Sequence, residues 1–222
     1  GTTPYDPIAD FTAIAILGRA PIALAVPKES PHQDAAGLLR ALRAAPGRAS
    51  WGSSGIGSVG HLAGELMALM AGGLTAVHIP YRGGAGIAEA LAKREVDYAW
   101  EPLGSLAAGA KDGLFRILAM GSEARHPLFP DIPAMREAAL PSFEASTWNV
   151  MLGPKSLPQD LVSRLSAAAN AALAESDVIA RLAAAGIDAV SDSTPARTAS
   201  FLAAEYAKFR DIVQKADLRV AP

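Results

Sequence analysis

The chain has no cysteine. That excludes disulfide staples, thiolate catalysis and cysteine-ligated zinc together, and suits a reducing or an oxidising compartment equally. Nor does charge of either sign predominate: 20 basic residues face 22 acidic ones, for a net charge of -2. The basic residues are scattered singly, so no field gathers nucleic acid and nucleic-acid binding is not expected. No apolar run approaches the roughly 20 residues that a membrane-spanning helix needs. No charged-then-apolar targeting segment opens the chain, which begins at Gly1 rather than Met, so an upstream stretch removed or left out is expected. What the 222 residues do have is apolar content, 50% of the total, enough to bury a core without stapling.

Short β-rich runs at 13–17, 22–26, 75–79, 96–100, 115–120 and 147–152 alternate with segments rich in alanine and leucine. The alternation predicts an α/β fold of βαβ units around a parallel sheet. A helix over 35–45 is closed by Pro46-Gly47, and Ser58 is placed to cap a helix carrying Leu62, Leu66 and Leu69 on one face. In the last third, Leu161, Leu165, Ala168 and Ala172 mark one helical stripe, and Leu202, Tyr206, Phe209 and Val213 another. Both helices are expected to cover a sheet, with a shorter helix over 177–185 between them, ended by Gly186. Prolines over 127–133 and at Pro141 mark a loop-rich passage suited to a crossing between lobes.

The stretch GSSGIGSVGHL over 52–62 holds Gly55, Gly57 and Gly60 in the spacing G-x-G-x-x-G. A dinucleotide turn follows a buried, almost continuously apolar strand, and an acid about 20 residues on holds the ribose. Here the residues before the turn are small and polar, and HIPYRGG over 78–84 supplies no acid. Arg82 suits a 2′-phosphate, so an NADP-dependent oxidoreductase built on 55–60 stands as the alternative function. The more general reading is an anion cradle, because a loop of glycine and serine entering a helix N-terminus offers free N–H groups, hydroxyls and the positive end of a helix dipole. Tyr81, Arg82, Gly83 and Gly84 form a second loop of the same kind, and two such loops at the carboxyl ends of adjacent strands face one crevice. Ser54 is not in a hydrolase elbow, because Ile56 stands where the second glycine belongs. His61 and Glu65, four apart, read as a surface hydrogen-bonded pair rather than a metal site, and no catalytic residue is assigned.

The segments YDPIADFTAIAILGRAPIALAV over 5–26, GSSGIGSVGHLAGELM over 52–67, HIPYRGGAGIAEAL over 78–91, VDYAWEPLGS over 96–105 and PDIPAMREAALPSFEASTWNVMLGPKSLPQDLV over 130–162 resemble the tripartite tricarboxylate transporter substrate-binding receptors, the Bug family. The resemblance implies a type II periplasmic-binding-protein fold, two α/β lobes joined by a hinge, with 1–17 and 144–222 in the first lobe and 18–143 in the second. Crossings near Leu17 and Glu144 form the hinge. It implies a periplasmic, monomeric receptor that closes over a small organic carboxylate in the interlobe cleft and serves membrane transporter subunits, with no cofactor or metal. Ser53, Ser54, Gly55, Gly57 and Ser58 match one ligand loop; Tyr81, Arg82, Gly83 and Gly84 match the second. Glu101, at a strand end, is placed to bond a ligand amine or hydroxyl or to repel a second carboxylate. Trp148, near a crossing, is either core or a wall of the ligand pocket. Family members carry a segment before the YDP motif that this chain does not contain, so the first lobe is expected to be incomplete at its N-terminus. Ala134 and Ala139 stand where the family more often has threonine and glycine.

Overall fold

One strand of 17 residues, β1 (Phe11–Pro27), serves two separate sets of partners. The computed structural model describes residues 4–218, and its contacts divide the chain into two units. One takes the chain up to Ala20 together with Trp148–Asp211; the other takes Pro21–Thr147 and the stretch from Ile212. The sequence predicts two strands where β1 is one. Gly18 and Arg19 pair with a short late strand, and pairing with a different strand begins at Ile22. Pro21, which has no N–H, falls in the gap between those partners, where no donor is missed.

In the unit built from Pro21–Thr147 the strand order is β3 (Val77–Pro80), β2 (Ser50–Ser53), β4 (Tyr98–Pro102), the second half of β1, then β5 (Phe115–Met120). β2 runs parallel to β3 and β4, but β1 runs antiparallel to β4 and β5. The sheet is therefore mixed rather than parallel. The helices α2 (Val59–Met70), α3 (Gly83–Lys93) and α4 (Leu103–Lys111) link strands that run parallel, whereas β1, although a helix also joins it to β2, lies between β4 and β5 antiparallel to both. Alternate residues of β1 feed opposite faces: Ile22, Leu24 and Val26 join Leu38, Trp51, Met67, Trp100 and Phe143, while Ala23 and Ala25 join Ile87, Leu91, Leu106 and Phe115. Helix α1 (Ala35–Ala44) starts at Asp34, whose side chain accepts from the Gly37 amide at 2.6 Å, and α2 starts at Ser58, which accepts from the His61 amide at 3.2 Å. A short helix, α5 (Met135–Ala138), follows β5.

The other unit pairs the first half of β1 with β6 (Ser146–Pro154) and β7 (Asp188–Ala189) and carries α6 (Gln159–Leu173), α7 (Ser176–Ala184) and most of α8 (Pro195–Lys215). Ile14 and Ala15 of β1 pack on Val162 and Ala169 of α6. The buried face of α6 is Val162, Ser166, Ala169 and Leu173, one residue on from the expected stripe, and Ala168 and Ala172 are exposed. On α8, Thr198 and Glu205 are buried and Tyr206 is exposed, again off the expected face; α7 buries no residue. Ser193 stitches this unit by accepting from the Ile16 amide at 3.1 Å and donating to the Ile16 carbonyl at 3.2 Å. Among the described residues no helix is long and apolar enough to cross a membrane.

Candidate functional site

The two glycine loops lie side by side at the carboxyl ends of β2 and β3. Ser53 is in register with Pro80, and the Tyr81 amide donates to the Ser53 carbonyl at 2.9 Å. β2 is the segment whose polar residues argue against a buried strand, yet it sits between β3 and β4 with Trp51, Gly52 and Ser53 buried. Two glycines of α2 make this work. The Gly60 Cα faces the Trp100 carbonyl and the Gly64 Cα faces the Trp51 ring, both too closely for a Cβ. The third glycine of the G-x-G-x-x-G spacing is thus a helix-to-sheet contact, while Gly55 and Gly57 bend the loop with φ of 133° and 78°.

Much of the first loop's polarity holds the loop itself. Ser53 is fully buried; its hydroxyl donates to the Gly55 carbonyl at 3.1 Å and lies 2.8 Å from His78 Nε2. With that hydroxyl hydrogen spent, His78 presents its own Nε2–H to Ser53. The Gly57 amide donates to His61 Nδ1 at 2.9 Å, and the Ser58 hydroxyl donates to Ser53 Oγ at 3.4 Å besides capping α2. Ser54, through its amide and its hydroxyl, pulls the Glu101 pKa down. Among the described residues, the amides of Ile56, Val59 and Gly60 have no acceptor. These three are the donors left free in the first loop and at the start of α2, all of them outside the expected set.

The second loop is less committed. Helix α3 begins after Arg82 with no side-chain cap, and Gly83 turns the chain with φ of 78°. The amides of Gly83, Gly84 and Ala85 have no acceptor among the described residues, and the exposed Arg82 guanidinium makes no ion pair there. Tyr81 behaves differently from expectation. Its hydroxyl donates to Glu95 at 3.3 Å and its ring lies 3.4 Å from the Cβ position of Gly52, so the side chain braces the loop from below. Burial, and then the bond to Glu95, raise its pKa.

Glu101 ties the loops together. It is 2% exposed, at the end of β4, with the Ser54 amide and hydroxyl and the Ser105 hydroxyl set against its carboxylate and Gly84 packed on Oε1. Burial raises its pKa above the usual carboxylate range against the pull of those three donors, and Oε2 has no hydrogen-bond partner.

Beneath the first loop lies a ring stack that the sequence did not reveal. His61 and His78 are stacked at 4.1 Å between centroids and 6° between planes, and Trp51 covers His78 at 4.3 Å. His61 is 4% exposed, so its pairing with Glu65 at 3.6 Å is an interior contact rather than the surface pair expected. Because His61 Nδ1 accepts from Gly57, the ring's hydrogen is on Nε2, facing Glu65. Burial, reinforced by His61, lowers the His78 pKa to about 4. The signal for His78 lay in strand register: adjacent β2 and β3 set it directly beside Trp51, two residues before each loop turns.

Trp148 belongs to the other unit. Its indole N–H donates to the buried Glu205 at 3.0 Å and its ring meets Phe201 edge-on at 5.7 Å. Cavities of about 420 and 440 Å³ also lie away from the loops, one beside Lys28, Phe115 and Phe129, the other beside Met151, Leu173 and Ile187. The first includes Arg116, whose guanidinium is spent on the carbonyls of Lys28 and His32, and the second is lined almost wholly by apolar residues, so neither matches the loops as a place for an anion.

Comparison with known proteins agrees with this architecture. Over 185 residues, 83% of the chain, it is 36% identical to a UPF0065 protein of Pseudomonas sp. strain P51, and it spans 55% of that relative's length. It is similar to the solved structure of R. palustris Rpa4515 with adipate, at 28% identity and a TM-score of 0.84, covering 98% of this chain and 72% of that one. It is also similar to MatC from Rhodopseudomonas palustris with bound malate, at 26% identity and a TM-score of 0.81, covering 96% of this chain and 73% of that one. The α/β fold is that of the periplasmic solute-binding proteins. Residues 2–218 match the tripartite tricarboxylate transporter family receptor, and the chain belongs to that family.

Proposed function

We propose that this chain is the solute-binding part of a tripartite tricarboxylate-type transporter, working in the periplasm, where it captures a small organic carboxylate and passes it to membrane subunits with no chemical step. The observation that carries the reading is the pair of adjacent helix ends, α2 and α3, whose amides at Ile56, Val59, Gly60, Gly83, Gly84 and Ala85 have no acceptor among the described residues. A helix terminus alone contributes about 0.3 to 1 kcal/mol to an anion, and up to about 2 when partly buried. Micromolar affinity takes about 8 kcal/mol, so both ends and a bidentate contact from Arg82 are needed together. Ser53, Gly55, Gly57 and Ser58 shape the first loop, Ser54 and Glu101 tie it to the second, and Tyr81 braces the second from below. Trp148, in the other unit, has its indole N–H engaged by Glu205. Adipate and malate, bound by the two structural relatives, set the ligand class. The oxidoreductase alternative finds no support among these relatives, and the glycine spacing that suggested it is accounted for by loop bending and helix contact.

A thermal-shift screen of malate, adipate and other mono- and dicarboxylates, with NADP and NADPH alongside, tests the proposal. A binding acid at about a hundred times its Kd stabilises by about 2.7 kcal/mol through linkage, so at least one acid raises Tm and the dinucleotides do not. A rise with NADP or NADPH and with no acid would reverse the assignment.

A further inference from the structure

We propose that Glu101 couples ligand capture to proton uptake, so that an organic carboxylate seated on the two loops is accompanied by a proton on the acid that joins them. The inference rests on the preceding reading of the loops as the carboxylate site. Its basis is the placement of a buried acid. Glu101 is 2% exposed, touches the first loop through Ser54 and the second through Gly84, and leaves Oε2 without a hydrogen-bond partner. A ligand carboxylate held by neighbouring amides of those loops is a second negative charge in the same poorly solvated place. Two carboxylates in such a site do not both stay ionised at ordinary cost, and one of them takes a proton.

The surroundings leave Glu101 as the group that responds. The ionisable residues on the elements around it are His61 and Glu65 on α2, His78 on β3, Tyr81 and Arg82 in the second loop, Glu89 and Lys93 on α3, which pair with each other, Tyr98 on β4, Lys111 at the far end of α4 and Arg19 on β1. The balance at Glu101 is dominated by its burial and by the donors of Ser54 and Ser105, with burial the larger, so the group is already displaced toward the protonated form before any ligand arrives. His61 and Glu65 face each other, and Tyr81 faces Glu95.

Calorimetry decides the matter. Malate and adipate are titrated into the protein at several values between pH 5.5 and 8, each in buffers of low and high ionisation enthalpy. The expected result is a binding heat that depends on buffer with the sign of proton uptake, and an affinity that rises as pH falls by up to about tenfold per pH unit. In Glu101→Gln this uptake disappears, while any proton carried by the ligand itself remains in both proteins and cancels. Ser105→Ala, outside both loops, removes a donor that lowers the Glu101 pKa and moves the uptake window to higher pH. Binding by the wild-type protein with heats that do not depend on buffer, or uptake that persists in Glu101→Gln, overturns the inference and leaves the carboxylate reading intact. Binding of neither acid at any pH overturns that reading and this one with it.

Discussion

Gly84 turns a bare Cα toward the Glu101 carboxylate: a Cβ built there would stand 2.7 Å from Oε1 and 2.5 Å from Ser105 Cβ. The start of α3 can therefore lie against the end of β4 only while residue 84 has no side chain. Gly84→Ala forces the helix end away from Glu101 and separates the two loops. The expected cost is about 1 to 3 kcal/mol, as for other overpacked contacts, measured by urea denaturation. Calorimetry on the same protein is expected to show weaker binding of whichever acid the thermal-shift screen identifies. A variant as stable as the parent would show that this contact is loose.

Ser58 and Arg82 separate the two ways in which a loop residue contributes. Ser58 caps α2 through the His61 amide, so Ser58→Ala is expected to lose about 1 kcal/mol of stability and to weaken carboxylate binding. Arg82 is exposed and has no ion-pair partner among the described residues, so Arg82→Ala is expected to change stability by no more than about 0.5 kcal/mol. Its binding loss is larger, about ten- to a hundredfold, the size of a lost charge-assisted hydrogen bond of about 1.5 to 3 kcal/mol. Denaturation and calorimetry on both variants check the division, and unchanged affinity in both would remove these loops as the ligand site.

The buried imidazole of His78 predicts an acid limb in the stability profile. Its pKa is lowered from 6.5 to about 4 by burial and by the neighbouring His61. Between those values the unfolded chain holds a proton that the folded chain does not. Stability is therefore fully present above about pH 6.5 and is lost as pH falls through about 4, with no further contribution from this group below that. Urea midpoints measured from pH 7.5 to 3.5 are expected to fall across that window in the wild-type protein and less steeply in His78→Gln. Equal slopes would assign the acid sensitivity to other groups.

The parts of the fold legible in the sequence are those fixed by contacts close along the chain. Ser58 as a cap, the helix over 35–45 and the strand at Phe115–Met120 all follow from local punctuation or an uninterrupted apolar run. The two glycine loops were legible for the same reason, since turn chemistry and helix entry are properties of a few consecutive residues. The buried face of α6 was not. A helix in which Leu161, Leu165, Ala168 and Ala172 compete with Val162, Ala169 and Leu173 carries apolar residues on more than one side, and packing against Ile14 and Ala15 selects among them. β2 was misjudged because Trp51 and Ser53 look like a poor core until Gly64 makes room for the indole and His78 satisfies the hydroxyl.

By itself the sequence determined that the chain alternates strands with helices, that two loops rich in glycine open onto helices, and which family it resembles, because each is written in residues near one another. Tertiary structure alone decided that β1 runs antiparallel within its sheet, that His61 stacks on His78 under the first loop, and that Glu101 joins that loop to the second. Those relations depend on which strands become neighbours. Pairing between segments tens of residues apart is set by the packing of the whole sheet, and no local pattern carries it.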